Sequence, residues 1–92
     1  MTGELARARV RIRGHVQGVF FRDEARRRAA SRGVAGWIQN LRDGTVEAVF
    51  EGPRDAVESL LRWSERGPSG ARVDDVEVEW EDPEGEKSFV VR

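Results

Sequence analysis

The amino-acid sequence predicts an α+β fold in which two helices cover one face of an antiparallel sheet. Two observations support this prediction. Apolar and polar residues alternate in several short segments, and in two longer segments apolar residues recur every three or four positions. These segments follow one another in the order β-α-β-β-α-β. Because the chain has 92 residues and no linker or repeat interrupts this order, we expect a single domain at residues 1–92.

The first strand is predicted at residues 7–14, RARVRIRG, where apolar residues occupy one face and arginines the other. A helix is predicted from Arg22 to Arg32, followed by Gly33 as its stop signal. Its inner face consists of residues at four-residue spacing, which are Phe21, Ala25 and Ala29. Small residues on that face predict that the helix packs closely on the sheet.

Residues 35–51 predict two strands joined by a turn at residues 42–44. The second helix begins after Gly52-Pro53 and ends at Gly67-Pro68. Its apolar stripe is formed by Val57, Leu60, Leu61 and Ser64. In a fourth strand Val76, Val78 and Trp80 alternate with glutamates, and residues 89–91 predict a short edge strand. This order is the ferredoxin-like βαββαβ arrangement, in which the first strand lies between the third and the fourth.

Composition limits the possible functions. The chain has no cysteine, which excludes disulfides and thiolate chemistry and predicts a reducing, cytoplasmic location. No segment resembles a signal peptide or a membrane span, so we expect no membrane partner. The net charge is −1 although 36% of the residues are charged, so any basic site must be local.

The arginine row of the first strand is open to two interpretations. RNA-binding domains of this topology use the open sheet face with basic and stacked aromatic side chains. Here the predicted topology places the arginines opposite glutamates of the flanking strands, which are Glu47, Glu51, Glu77, Glu79 and Glu81. We therefore favour a structural charge lattice and expect no nucleic-acid partner.

The loop between the first strand and the first helix, GHVQGVFFR at residues 14–22, is the strongest candidate for a binding site. Consecutive backbone N–H groups before a helix N-terminus attract an anion, and Arg22 can donate two parallel hydrogen bonds to a phosphate or carboxylate. Val16, Val19 and either Phe20 or Phe21 are expected to hold the loop on the core. The alternative is a simple turn followed by a solvated arginine, and spacing alone does not separate the two.

Asn40 ends the second predicted strand, which runs in the same direction as the first, so Asn40 should lie beside the loop and Arg22. A two-residue hairpin loop would pair Asn40 with Glu47 on the open face. A three-residue loop at 42–44, with Gly44 in a left-handed bulge, would pair it with Val46 on the helix side. We expect the three-residue loop; the alternative role for Asn40 is to cap the hairpin.

These residues resemble the acylphosphatase family. GHVQGVFFR matches the family pattern G-x-V-Q-G-V-x-F-R, GWIQN matches G-W-V-x-N with Ile38 in place of Val, and DGTVE matches D-G-x-V-E. The resemblance implies metal-independent hydrolysis of small-molecule acyl phosphates to a carboxylate and inorganic phosphate, without a cofactor, by a monomer. It also implies that Arg22 binds the phosphoryl group and Asn40 orients the attacking water. The implied phosphate-binding loop consists of His15, Val16, Gln17, Gly18, Val19 and Phe20, acting through their backbone.

Three points qualify the resemblance. His15 occupies a variable position of the pattern, and we interpret it as a loop-surface residue and not as a base. A non-catalytic anion-binding regulatory module with the same fold is an alternative function. The acylphosphatase-like domain that begins larger carbamoyl-transferring proteins is another, although the length of 92 residues argues against it.

Overall fold

A computed structural model describes residues 4–92 of the chain. The strands and helices follow the predicted order, including the short edge strand at residues 89–91. They are β1 (Leu5–His15), α1 (Phe21–Ser31), β2 (Ala35–Asn40), β3 (Val46–Pro53), α2 (Arg54–Ser64), β4 (Arg72–Glu81) and β5 (Phe89–Val91). Within residues 4–92, no helix is long and apolar enough to cross a membrane.

The strands form one sheet in the order β4-β1-β3-β2-β5, which confirms the ferredoxin-like topology and the central position of β1. β1 is antiparallel to both of its neighbours, β3 and β4, and β2 is antiparallel to β3. The predicted antiparallel sheet becomes mixed at one edge, because the edge strand β5, whose direction was not predicted, is parallel to β2. The segment between β4 and β5 crosses to the far edge of the sheet and enters beside the start of β2, so β5 must run in the direction of β2.

Both helices pack on the face of the sheet that carries the apolar residues of β1 and β3. α1 buries the predicted small-residue face, Phe21, Ala25 and Ala29. α2 buries Val57, Leu60, Trp63 and Ser64. Leu61, which was expected on the apolar stripe, is only half-buried, and Trp63 is buried against Phe21 with ring centroids 5.0 Å apart. The close contact of the helices with the sheet fixes where the N-terminus of α1 points.

The open face of the sheet carries the predicted charge lattice. Arg7 pairs in register with Glu51 on one side and Glu81 on the other, and Arg11 pairs with Glu47 and Glu77. Arg7 is buried, and its guanidinium lies 3.0 Å from carboxylate oxygens of both Glu51 and Glu81. Burial alone would lower the pKa of Arg7, but hydrogen bonds to Glu86, Glu51 and Glu81 outweigh it and raise that pKa. Arg7, Arg9 and Arg13 therefore contact carboxylates of the flanking strands, and Arg11 lies 3.8 Å from Asp43 in the hairpin loop.

Glu51 also anchors the segment that leads to β5. Its carboxylate accepts hydrogen bonds from the backbone N–H groups of Glu84, Gly85 and Glu86, at 3.0, 2.8 and 3.1 Å. Burial acts to raise the pKa of Glu51, but these N–H donors and the Arg7 guanidinium hold it below its usual value. The lattice thus fixes the path of the chain into β5.

Candidate active site

The candidate site lies at the sheet edge where β1, β2 and β5 all end. β1 and β2 are both antiparallel to β3, and β5 is parallel to β2, so their C-terminal ends share this edge. The loop after β1 and the first turn of α1 close over it. A cleft of about 450 Å³ opens there. It is lined by Val16, Gly18, Phe20, Phe21, Arg22, Asp23, Arg26, Asn40 and Val91.

The loop at residues 16–20 is held by apolar side chains on its inner side. Val16 is 1% exposed, and Val19 packs against the core cluster. Of the two phenylalanines, Phe21 is buried, whereas Phe20 is 78% exposed and has a positive φ of 65°. A positive φ is unusual for a bulky residue and turns the Phe20 side chain away from the core. The fixed backbone leaves the outer side of the loop open to the cleft.

The backbone N–H groups of this loop are free to bind a ligand. Within residues 4–92, none of the N–H groups of residues 16–20 donates a hydrogen bond to another protein group. The first hydrogen bond of α1 runs from the N–H of Glu24 to the carbonyl of Phe20, so the N–H groups of the first turn are unpaired as well. Gly18, with φ of 76°, lets the chain curve so that successive donors can face one point. This arrangement is suited to an oxyanion.

Arg22 lies in the first turn of α1, half-buried, with its side chain in the cleft. Its Nη1 donates a hydrogen bond of 2.8 Å to the backbone carbonyl oxygen of Arg92, just after β5. No Asp or Glu side chain among residues 4–92 lies within 4.0 Å of the Arg22 guanidinium. One of its five N–H donors is thus used to orient the group, and the others remain for a ligand.

Asn40 is the last residue of β2 and is half-buried in the same cleft. It pairs with Val46, and the N–H of Leu41 donates to the carbonyl of Thr45, which closes a three-residue loop. Gly44 in that loop has a φ of 91°. The expected register is therefore confirmed. The neighbouring Gln39 pairs with Glu47 on the opposite face, where its amide donates to that carboxylate at 3.0 Å.

Gln17 joins the loop to the hairpin that carries Asn40. Its side-chain Nε2 donates hydrogen bonds to the carbonyls of Leu41 and Thr45, at 2.8 and 2.9 Å. The hairpin is in turn closed by Asp43, whose carboxylate accepts from the N–H and hydroxyl of Thr45 at 3.0 and 2.6 Å. These two Thr45 hydrogen bonds lower the pKa of Asp43. The separation between the loop and Asn40 is therefore set by specific polar contacts.

The structure places five of the eight predicted site residues in one cleft, whereas His15, Gln17 and Val19 do not line it. Val16, Gly18, Phe20, Arg22 and Asn40 share the cleft. His15 is exposed at the end of β1, pairs with Arg72, and does not line the cleft. The interpretation of His15 as a surface residue stands.

Sequence reasoning missed three features of the site. Arg26, which was not among the predicted site residues, also lines the cleft, and its position four residues after Arg22 was the available signal. The side-chain contacts of Gln17 were only weakly indicated by the sequence. Asn and Gln are scarce in the chain, and two of these residues fall in this region. Nothing in the sequence pointed to Val91 or to the Arg92 carbonyl, because the direction of β5 was open. Within residues 4–92, no group of His, Cys, Asp and Glu side chains could hold a metal ion.

Comparisons with known proteins show the family of the chain. A family model described as acylphosphatase matches residues 8–91. An acylphosphatase of Pyrobaculum aerophilum is 60% identical over 90 residues, which cover 96% of this chain and 95% of that protein.

Two solved structures have the same fold. An acylphosphatase from Coxiella burnetii superposes with a TM-score of 0.92 at 39% identity, over 96% of this chain and 93% of that one. An acylphosphatase from Bacillus subtilis gives 0.91 at 34% identity, over 97% and 99%. The chain belongs to the acylphosphatase family of enzymes.

Proposed function

We propose that the chain hydrolyses acyl phosphates by placing the phosphoryl group between Arg22 and the backbone of residues 15–20, with the attacking water oriented by Asn40. The observation that carries the proposal is the shared cleft of Arg22, Asn40 and the loop. The free loop N–H groups and the Arg22 guanidinium supply positive potential at one point, and Asn40 supplies a neutral polar group beside it.

The chemistry of an acyl phosphate needs no more than these groups. The P–O bond to the acyl oxygen breaks, and the carboxylate leaves without needing a proton, so no general acid is required. Water forms the new P–O bond and loses one proton to solvent, giving inorganic phosphate that keeps the other proton. Catalysis then depends on stabilising the charge on the phosphoryl oxygens and on holding the water in line. Arg22 and the N–H groups do the first, and the Asn40 amide does the second.

The contacts of Gln17 and Arg92 support these roles by fixing the distances between them. Gln17 ties the loop to the Asn40 hairpin, and the Arg92 carbonyl orients the Arg22 guanidinium. Positioning of this kind lowers the entropic cost of reaching the transition state. The residues that hold the site are thus distinct from those that contact the substrate.

A non-catalytic anion-binding module has less support. Such a module needs the loop and Arg22 but does not need an amide on the neighbouring strand. Asn40 lies in the cleft, and within residues 4–92 its side chain makes no hydrogen bond that would explain it as a hairpin cap.

The test is hydrolysis of benzoyl phosphate in chelator-treated buffer, followed by the loss of ultraviolet absorbance. Metal-independent hydrolysis by the wild-type protein, lost in both Arg22→Gln and Asn40→Ala, is the expected result. Absence of hydrolysis above the buffer rate in folded wild-type protein, with phosphate still bound, would replace the enzyme mechanism with the binding module.

A further inference from the structure

A second and larger cavity adjoins the proposed phosphoryl site. It is a groove of about 1030 Å³ between α1, α2 and residues 67–70. Gly18 and Phe20 line both this groove and the cleft of Arg22 and Asn40, so the two spaces meet at the loop. The exposed ring of Phe20 stands at their junction. A substrate whose phosphoryl group lies in the cleft can therefore extend past Phe20 into the groove.

The groove concentrates positive charge. Four arginines line it against a single carboxylate, and these residues are Arg27, Arg28, Arg62, Arg66 and Glu24. The chain as a whole has a net charge of −1, so this excess is local. A concave surface lined by one sign of charge attracts ligands of the opposite sign.

The arginines fall into two pairs that differ in their contacts. On α1, Glu24 lies 2.9 Å from Arg27 and 3.4 Å from Arg28, and the guanidinium of Arg28 also lies 5.1 Å from the ring centroid of Trp63. On the other side of the groove, Arg62 lies in the last turn of α2 and Arg66 lies just after that helix. Neither has a carboxylate within 4.0 Å among residues 4–92. One wall of the groove is thus fixed and the other offers two uncommitted guanidinium groups.

We propose that the groove binds an anionic group on the acyl part of the substrate, so that acyl phosphates with a second negative charge are preferred. This inference rests on the proposed function at Arg22. Arg62 and Arg66 would bind this anion, which is a carboxylate or a phosphate. The planar guanidinium of an arginine can donate two parallel hydrogen bonds to such a group. Arg28 lies six residues after Arg22 on α1, which is about 9 Å along the helix axis. An acyl group of roughly that length would reach the α1 wall of the groove.

The test compares two substrates that differ only at the far end. Both are benzoyl phosphates with a saturated three-carbon arm in the para position, ending in a carboxylate in one and in a carboxamide in the other. The saturated arm insulates the leaving group, so its intrinsic reactivity is the same in both. We expect wild-type kcat/KM to favour the carboxylate about 10-fold, a size typical of one charge-assisted contact.

The variant Arg62→Gln/Arg66→Gln should lower this preference to about twofold or less while leaving the carboxamide rate unchanged. The matched control is Arg32→Gln/Arg54→Gln, which removes the same charge from residues that line neither cavity. The control should keep the wild-type preference. Thermal unfolding of both double variants shows whether they are folded under the assay conditions.

The two proposals fail in different ways. If the wild-type protein hydrolyses both substrates at equal kcat/KM, the groove assignment is wrong and the function at Arg22 stands. The same conclusion follows if the two double variants lose the preference equally, because the effect would then be general electrostatic attraction. If the wild-type protein hydrolyses neither substrate, the proposed function is wrong and the groove assignment falls with it.

Discussion

Two regions of the molecule use arginine in opposite ways. On the open face of the sheet, Arg7 and Arg9 contact carboxylates of neighbouring strands at 2.8 to 3.2 Å. At the sheet edge, Arg22 contacts the backbone oxygen of Arg92 and, within residues 4–92, no Asp or Glu side chain. The same side chain therefore stabilises the fold in one place and is available to a ligand in the other.

The difference shows that the number of arginines says little about where an anion binds. The sequence has 15 of them, since lysine is represented only by Lys87. An arginine that already contacts two carboxylates has no net charge to offer. What distinguishes Arg22 is its place in the first turn of α1, where neighbouring N–H groups are also free.

The largest expected effect is that of Arg22→Gln. We expect kcat/KM for benzoyl phosphate to fall by about 10³-fold or more, because the charge on the phosphoryl oxygens loses its main stabilising group. Thermal stability should change little, since the side chain is only half-buried and makes one hydrogen bond. Arg32→Gln, on the same helix but outside the cleft, is the control and should retain wild-type activity.

Asn40→Ala should lower kcat by about 10²-fold with little change in phosphate affinity, because the amide contacts the attacking water and not the bound anion. Steady-state kinetics with benzoyl phosphate would measure it. The matched control is Gln39→Ala, which removes the adjacent amide from the opposite face of β2. Equal losses in the two variants would mean that the effect is a general disturbance of the hairpin.

Arg7→Gln tests the arginines on the open face of the sheet, which stabilise the fold. Arg7 is 2% exposed and contacts Glu51, which is 5% exposed, so its loss leaves a buried carboxylate without its cation. We expect the free energy of unfolding to fall by about 3 kcal/mol, measured in urea. Arg13→Gln, in the same row but with exposed partners 3.4 and 3.5 Å away, should cost no more than about 0.5 kcal/mol. Activity per folded molecule should be retained in both.

Gln17→Ala should have a smaller effect on both stability and activity. It removes two hydrogen bonds to Leu41 and Thr45 and should lower the free energy of unfolding by about 1 kcal/mol. Because the loop is then less firmly tied to the Asn40 hairpin, kcat should fall by about 10-fold. A loss of stability with unchanged kcat would show that the contact supports the fold alone.

The smallest expected effect is a dependence of stability on pH that comes from Glu51. Its pKa in the folded protein lies below the ordinary value of 4.5, so the ionised form is favoured by folding. The resulting stability is fully present above about pH 4.5 and is lost as the pH falls through the folded value. Urea unfolding between pH 3 and 7 should show a steeper acid loss in the wild-type protein than in Glu51→Gln. Parallel pH profiles would contradict this assignment.

Much of the fold could be predicted from sequence because its signals are local. Strict alternation in β1 and the four-residue spacing in α1 each follow from backbone geometry within one element. The topology predicted that Arg22 and Asn40 share a site, because β1 and β2 run in the same direction and end at the same edge of the sheet. Gly44 decided the hairpin register because a three-residue loop needs a left-handed position there.

The remaining features depend on contacts between distant parts of the chain. The direction of β5 is set by the path of residues 82–88 and by Glu51, which the sequence separates from them by more than 30 residues. The sequence does not indicate which of Phe20 and Phe21 is buried. The answer depends on the positive φ of Phe20, which cannot be predicted from two adjacent phenylalanines. The hydrogen bond between Arg22 and the Arg92 carbonyl likewise has no local pattern.

The central claim is that Arg22 holds the anion and Asn40 acts only on the water. The most direct measurement is calorimetric titration of inorganic phosphate into the wild-type protein, Arg22→Gln and Asn40→Ala. We expect Arg22→Gln to weaken phosphate binding by about 10-fold or more, whereas the affinity of Asn40→Ala should stay within about twofold of the wild type. Wild-type affinity in Arg22→Gln would contradict this claim, because the loop alone would then hold the phosphoryl group.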